Sequence, residues 1–125
     1  MTVKTQVQIE VTTQYIAAQS NPSQGQYVFS YTITISNNAA HDVTLKSREW
    51  RITDAEGKVT RVAGEGVIGQ QPCITPGDSF TYTSGTVIAT PVGMMEGHYV
   101  MLSEQGEQFK VAIPSFRLAI PNIIH

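Results

Sequence analysis

The sequence predicts an all-β domain of seven to eight short antiparallel strands, closed into a sandwich or barrel. Three observations carry this. Apolar residues recur at every second position in one segment after another, the period of a half-buried strand. Clusters of Gly, Pro, Asn and Asp punctuate those segments at even spacing. No segment has an amphipathic helical face, and there is no internal repeat. At 125 residues the chain supports one domain, residues 1–125, with a core that needs no metal or disulfide staple.

Taken in order, Val3 to Ile16 alternates, with Val7, Ile9, Val11 and Tyr15 on one face and Gln6, Gln8, Glu10 and Thr12 on the other. Residues Gln19 to Gly25 form a loop by composition. Tyr27, Phe29, Tyr31, Ile33 and Ile35 mark the clearest strand, ending at the turn cluster Asn37 to His41. Asp42 to Asp54 is a strand whose phase changes, since Val43 and Leu45 are odd while Trp50 and Ile52 are even. A one-residue slip turns every side chain over, so a bulge or bend is expected between Lys46 and Glu49. Asp54 to Gly57 reads as a hairpin turn with Gly57 at positive φ, and Lys58 to Val62 returns.

Gly64 to Gly77 is expected to be a long loop, with Val67, Ile68 and Ile74 folding it back onto the core. Loops of that length are often functional. Asp78 to Ser84 is a strand with Phe80 and Tyr82 inward, continued by Thr86 to Ala89. Thr90 to Gly93 turns. Gly97 to Glu104 is a strand covered on both sides or central, with Tyr99 and Met101 on one face and Val100 and Leu102 on the other. Glu107 to Ile113 pairs back, Pro114 breaks the phase, and Phe116 and Leu118 resume. The tail Ile120 to His125 is expected to dock.

Two aromatics sharpen the expectation. In immunoglobulin-like sandwiches a Tyr near the start of strand F, two residues before an inward position, bonds through its hydroxyl to upstream backbone, and a buried Trp sits on strand C. Tyr99 with Met101, and Trp50, fit those places; the alternative is that both are ordinary core residues.

Composition bounds the function. Charged residues make up 14% of the chain and the net charge is −2. The one modest basic cluster (Lys46, Arg48, Arg51, Lys58, Arg61) is interrupted by acids and reads as a solvated strand face, so no nucleic-acid partner is expected. No apolar run reaches the ~20 residues of a membrane-spanning helix. The segment MTVKTQVQIEV lacks a signal-peptide core. The lone Cys73 excludes an intrachain disulfide. A soluble, cytoplasmic protein is expected.

The segments GEGVIGQQPCITPGDSFTYTSG, TPVGMMEGHYVM and FKVAIPSFRLA strongly resemble the ApaG family of bacterial proteins, over essentially the whole chain. The resemblance implies a fibronectin type III-like β-sandwich in the cytoplasm. It also implies a genetic association with cobalt resistance and magnesium efflux, and encoding near enzymes of diadenosine tetraphosphate and rRNA methylation metabolism. Related domains appended to eukaryotic F-box and DNA-polymerase-interacting proteins resemble interaction modules. The family supplies no agreed catalytic residues.

Several motifs bear on chemistry. Gly64-Glu65-Gly66-Val67-Ile68-Gly69 matches GxGxxG, but Pro72 and Pro76 follow and no helix can open there, so the dinucleotide reading fails. A glycine-rich amide nest for a phosphate or pyrophosphate anion remains open at Gly64, Gly66 and Gly69, with Arg61 and Lys58 as counter-charge. His41, His98 and His125 lie outside metal-ligand spacings, so neither metal nor cofactor is expected. Ser84 has no elbow or partner, and an apolar loop around Cys73 would leave its thiol unactivated. The expectation is a non-enzymatic interaction module. Its contacts would be Thr83, Ser84, Gly85, Met94 and Met95, with an unidentified protein partner or a homodimer formed through a sheet edge. The alternative is a small-ligand sensor for a phosphate-type anion, including a dinucleoside polyphosphate or a metal-phosphate, at Gly64–Gly69.

Overall fold

The computed structural model describes residues 6–121. Period-two alternation builds eight strands: β1 (Val7–Tyr15), β2 (Tyr27–Asn37), β3 (Val43–Asp54), β4 (Val59–Glu65), β5 (Cys73–Ile74), β6 (Ser79–Ile88), β7 (Val92–Ser103) and β8 (Gln108–Ala119). They form two antiparallel sheets. The smaller has the order β1-β2-β6; the larger has the order β4-β3-β7-β8, with β5 paired to the start of β3. The apolar faces meet in one core, so the expected all-β sandwich is the observed fold.

Each sheet keeps its alternation. On β2, Phe29, Tyr31, Ile33 and Ile35 are buried. Between them, on the outer face, hydroxyls pair across to β6: Thr32 with Thr83 at 2.8 Å, Thr34 with Thr81 at 3.1 Å and Ser36 with Ser79 at 2.8 Å. Such cross-strand pairs suit a solvated sheet face. In the larger sheet the phase changes twice. The pairing of β3 with β7 shifts between Leu45 and Ser47, which places the bulge at Lys46, at the near limit of the expected interval. The pairing of β7 with β8 shifts between Met95 and Gly97, opposite Pro114. Val43 and Leu45 therefore face inward before the first bulge, and Trp50 and Ile52 after it.

Several boundaries differ from the sequence reading. β4 continues through Glu65, so Gly64 and Glu65 belong to a strand. The long loop shrinks accordingly to residues 66–72. β6 runs unbroken through Gly85. β7 begins at Val92, five residues early, and so takes in Met94 and Met95. Gly57 adopts φ +85° in its turn, as expected. Ile120 packs on the core, and its N–H donates to the Pro91 carbonyl at 3.1 Å. The expected strand positions 3–5 and tail positions 122–125, including His125, lie outside the described residues.

Asn37 ends β2 in full burial. Its side-chain amide donates to the His41 carbonyl at 2.9 Å and the Ile74 carbonyl at 2.8 Å, and its carbonyl oxygen accepts from the Ala39 N–H at 2.9 Å. A residue read as turn composition thus ties β2 to the β3 approach and to β5.

Trp50 is buried on the third strand, as expected. Tyr99 departs from the upstream-backbone geometry. Its hydroxyl bonds the Tyr82 hydroxyl at 2.5 Å, joining the two sheets through the core. Burial pushes the Tyr82 phenol up to about 12, partly offset by its bond to Tyr99. Burial also raises Tyr99, and the neighbouring Tyr82 adds to that rise.

Removing one hydroxyl orphans the other. Tyr82→Phe and Tyr99→Phe should each cost about 1–3 kcal/mol, and the double variant less than their sum; urea denaturation of the four proteins checks this. Acids that titrate higher folded than unfolded keep their contribution below pH ~10 and lose it as pH rises towards 12. The urea midpoint should therefore fall across that alkaline window, and less steeply in the double variant.

Candidate functional site

The two sheets are closed along one side and open along the other. β1 of the smaller sheet lies against β8 of the larger. On the opposite side the edge strands β6 and β4 leave a groove. Even-numbered residues of β6 face inward, so Ser84, Thr86 and Ile88 form one wall, while Thr60 and Val62 of β4 form the other. Ile52, Trp50, Tyr31 and Met95 lie between. One section, of about 330 Å³, is bounded by Asp54, Lys58 and Ile88. A second, of about 190 Å³, ends at Arg48 and Ser84. The two share Ile52, Val62 and Thr86.

Arg48 reaches this groove because the bulge at Lys46 turns it inward together with Trp50 and Ile52. Its Nη1 donates to the carbonyls of Glu65 at 3.1 Å and Gly66 at 3.0 Å. Gly64, directly opposite in the register, provides the room: a Cβ there would lie 2.9 Å from Nη1. Among the described residues no carboxylate pairs with Arg48 or with Lys58. Asp54, at the Lys58 end, uses Oδ1 to accept the amides of Glu56 and Lys58 at 2.9 and 3.0 Å. Among the described residues the buried Trp50 indole N–H has no hydrogen-bond partner.

Two members of the basic cluster thus line the groove. Arg51 and Arg61 occupy the expected solvated face, beside Glu49, Glu96 and His98 on the outside of the larger sheet. There His98 Nε2 lies 3.2 Å from Glu49.

The glycine segment forms a tight hairpin tip. Val67 and Gln70 exchange both backbone hydrogen bonds at 2.8 Å, and the Gly66 N–H donates to the Lys46 carbonyl at 2.8 Å. These three amides are turned to backbone. Arg61 follows the opposite parity from Gly64 and stays on the outer face. The structure therefore does not converge Gly64, Gly66, Gly69 and Arg61 on one point. Gly66 (φ +62°) and Gly69 (φ +77°) have the left-handed backbone such a tip requires. Val67 is buried, whereas Ile68 stands 53% exposed at φ +43°, contrary to its expected docking.

Of the expected partner contacts, Ser84, Gly85 and Met95 meet at the narrow section of the groove. Thr83 points outward, bonded to Thr32. Met94 lies on the outer face of the other sheet between Thr53 and Arg117. Cys73 is exposed, its Sγ 3.7 Å from the Asp42 carboxylate, rather than set in apolar surroundings. Among the described residues no three His, Cys, Asp or Glu side chains converge, and no helix is long and apolar enough to cross a membrane. Sequence reasoning missed Arg48; the phase change and the unbroken inward set Arg48, Trp50 and Ile52 were the available signal.

A family model described as the ApaG domain matches residues 17–103. A protein described as Protein ApaG from Ectopseudomonas mendocina is 55% identical over 120 residues, covering 96% of this chain and 95% of the relative. Protein ApaG from Shewanella piezotolerans is 53% identical, covering 95% and 94%. The crystal structure of the putative ApaA protein from Bordetella pertussis superposes with a TM-score of 0.91 at 47% identity, covering 94% and 95%. The chain belongs to the ApaG family.

The glycine tip yields a graded prediction. A Cβ at Gly66 would lie 2.2 Å from the Gln70 carbonyl oxygen, whereas one at Gly69 meets nothing within 4 Å. Gly69→Ala should cost about 1–2 kcal/mol, the left-handed backbone penalty alone, and Gly66→Ala clearly more. Ile68→Asn should stabilise by up to about 1 kcal/mol, because Asn tolerates that backbone better. Chemical denaturation of the three variants measures the order.

Proposed function

We propose that this ApaG-family chain is a non-enzymatic interaction module that receives an extended segment of a partner protein along the free edge of β6. One observation carries the reading. Among the four long edge strands, β1 carries Glu10, β4 carries Arg61 and Glu65, and β8 carries Lys110, Arg117 and Pro114; β6 (SFTYTSGTVI) carries neither charge nor proline. Its ten residues pair with β2 in continuous register, and among the described residues no strand pairs with its other edge. Charges, prolines and bulges are the devices that keep sheet edges from pairing, and β6 has none of them. Val87 adds an apolar lip, 60% exposed.

An added strand gains affinity from main-chain hydrogen bonds and specificity from alternate side chains. The same edge, related by a two-fold axis to its copy, would form a homodimer. The exposed, unpaired thiol of Cys73 suits a reducing cytoplasm. Any part in cobalt or magnesium handling, which the family resemblance suggests, then runs through the partner. The alternative of a phosphate-type anion at the Gly64–Gly69 segment has less support, because its Gly66 and Val67 amides serve backbone carbonyls.

The test starts from an eight-residue random peptide library selected on the immobilised chain. The tightest binder, titrated into the ¹⁵N-labelled protein, should shift the amides of residues 79–88. N-methylation at alternate peptide positions should weaken it at least ten-fold. No enriched peptide, shifts centred elsewhere, or indifference to N-methylation would each overturn strand addition. Pyrophosphate and diadenosine tetraphosphate serve as the competing ligands, expected to leave the spectrum unmoved.

A further inference from the structure

We infer that the groove beside β6 selects an acidic side chain on the incoming segment and seats its carboxylate at Arg48; this inference rests on the strand-addition reading and gives it a sequence preference. The uncompensated charge of the groove supports it. The half-buried guanidinium of Arg48 commits Nη1 to the Glu65 and Gly66 carbonyls and has no carboxylate partner among the described residues. The Trp50 indole borders the same narrow section, with its N–H sealed from solvent.

A carboxylate is the group that answers this cation. It accepts from a guanidinium in charge-assisted bonds and has lone pairs left for a second donor. The Ser84 hydroxyl lines the same section. A neutral amide would leave the cation uncompensated. The rest of the groove sets the neighbouring positions. Ile52, Val62, Met95 and Ile88 favour apolar side chains two residues away from the acid, and Lys58 stands at the far end, about six residues or roughly 20 Å along an extended chain. Charge in the groove is unbalanced, with Arg48 and Lys58 against the single carboxylate of Asp54. The occupant is thus an extended, acidic-apolar segment of a partner protein.

Trp50 is the only tryptophan, so one indole N–H resonance reports the site. Peptides enriched from the random library should carry Asp or Glu at one fixed position with apolar residues two places either side. A capped Glu peptide should bind at least ten-fold more tightly than its Gln counterpart, move the Trp50 N–H, and weaken as salt rises. Arg48→Gln should erase the difference between the peptides. Should that variant unfold, Arg48→Lys serves, with the preference for Glu reduced at least three-fold.

Peptides that shift residues 79–88 without any acidic preference would overturn the carboxylate inference and leave strand addition standing. Failure to enrich any peptide would remove both. Glutarate alone moving the Trp50 resonance as far as the peptide does, with no shift along β6, would make this a small-acid site and overturn the peptide assignment.

Discussion

The extra residue in β3, Lys46, is the constraint on which the rest of the chain depends. A strand in continuous phase from Val43 would send Trp50 and Ile52 to solvent, at a cost of several kcal/mol for the exposed apolar surface. The bulge lets the two halves of β3 bury opposite parities. It also frees the Lys46 carbonyl from the ladder's regular pattern. That carbonyl accepts the Gly66 N–H at 2.8 Å and the Gln71 side-chain amide at 2.9 Å. One irregular residue therefore places the core tryptophan, turns Arg48 inward and pins the glycine segment to β3.

The second bulge completes the arrangement. At Gly97, β7 approaches β3 so closely that a Cβ would lie 2.0 Å from the Glu49 carbonyl oxygen. β7 keeps one parity, so Met95 and Tyr99 both face inward, and the phase change falls on β8, which buries Ile113 before Pro114 and Leu118 after it. Tyr99 then meets Tyr82 and ties the sheets together across the core. Closure on the β1–β8 side and the hydroxyl bond within leave the β4–β6 side as the open margin.

Much of this was legible in the sequence, for a physical reason. Period-two alternation is a local property, so the strands, the phase break in β3, the break at Pro114 and the turn at Gly57 all appear in the residue order. The Gly64 segment misled because glycine reports only that backbone must approach closely or adopt positive φ. Here the need was a hairpin tip at Gly66 and Gly69, and at Gly64 a seat for a guanidinium from another strand. Asn37 misled in the same way: its composition signals a turn, but its amide is buried and fully bonded. The bond between Tyr82 and Tyr99 joins residues on different sheets, and no spacing rule along the chain encodes it.

Arg48 shows why the candidate site was harder to read than the fold. In sequence it belongs to a run of mixed charges that reads as a solvated face, and for Arg51 and Arg61 that reading is right. A sheet presents two faces, however, and the parity that exposes Arg51 directs Arg48 to the interior. Near the middle of the sheet this would bury an uncompensated charge at prohibitive cost. At the open margin the guanidinium keeps partial solvation and two carbonyl acceptors, which hold it in place without neutralising it. Among the described residues the same margin carries the one long sheet edge without charge or proline. A cation held but not neutralised, beside a backbone edge available for pairing, is an arrangement in which an incoming strand gains both main-chain bonds and a charge partner.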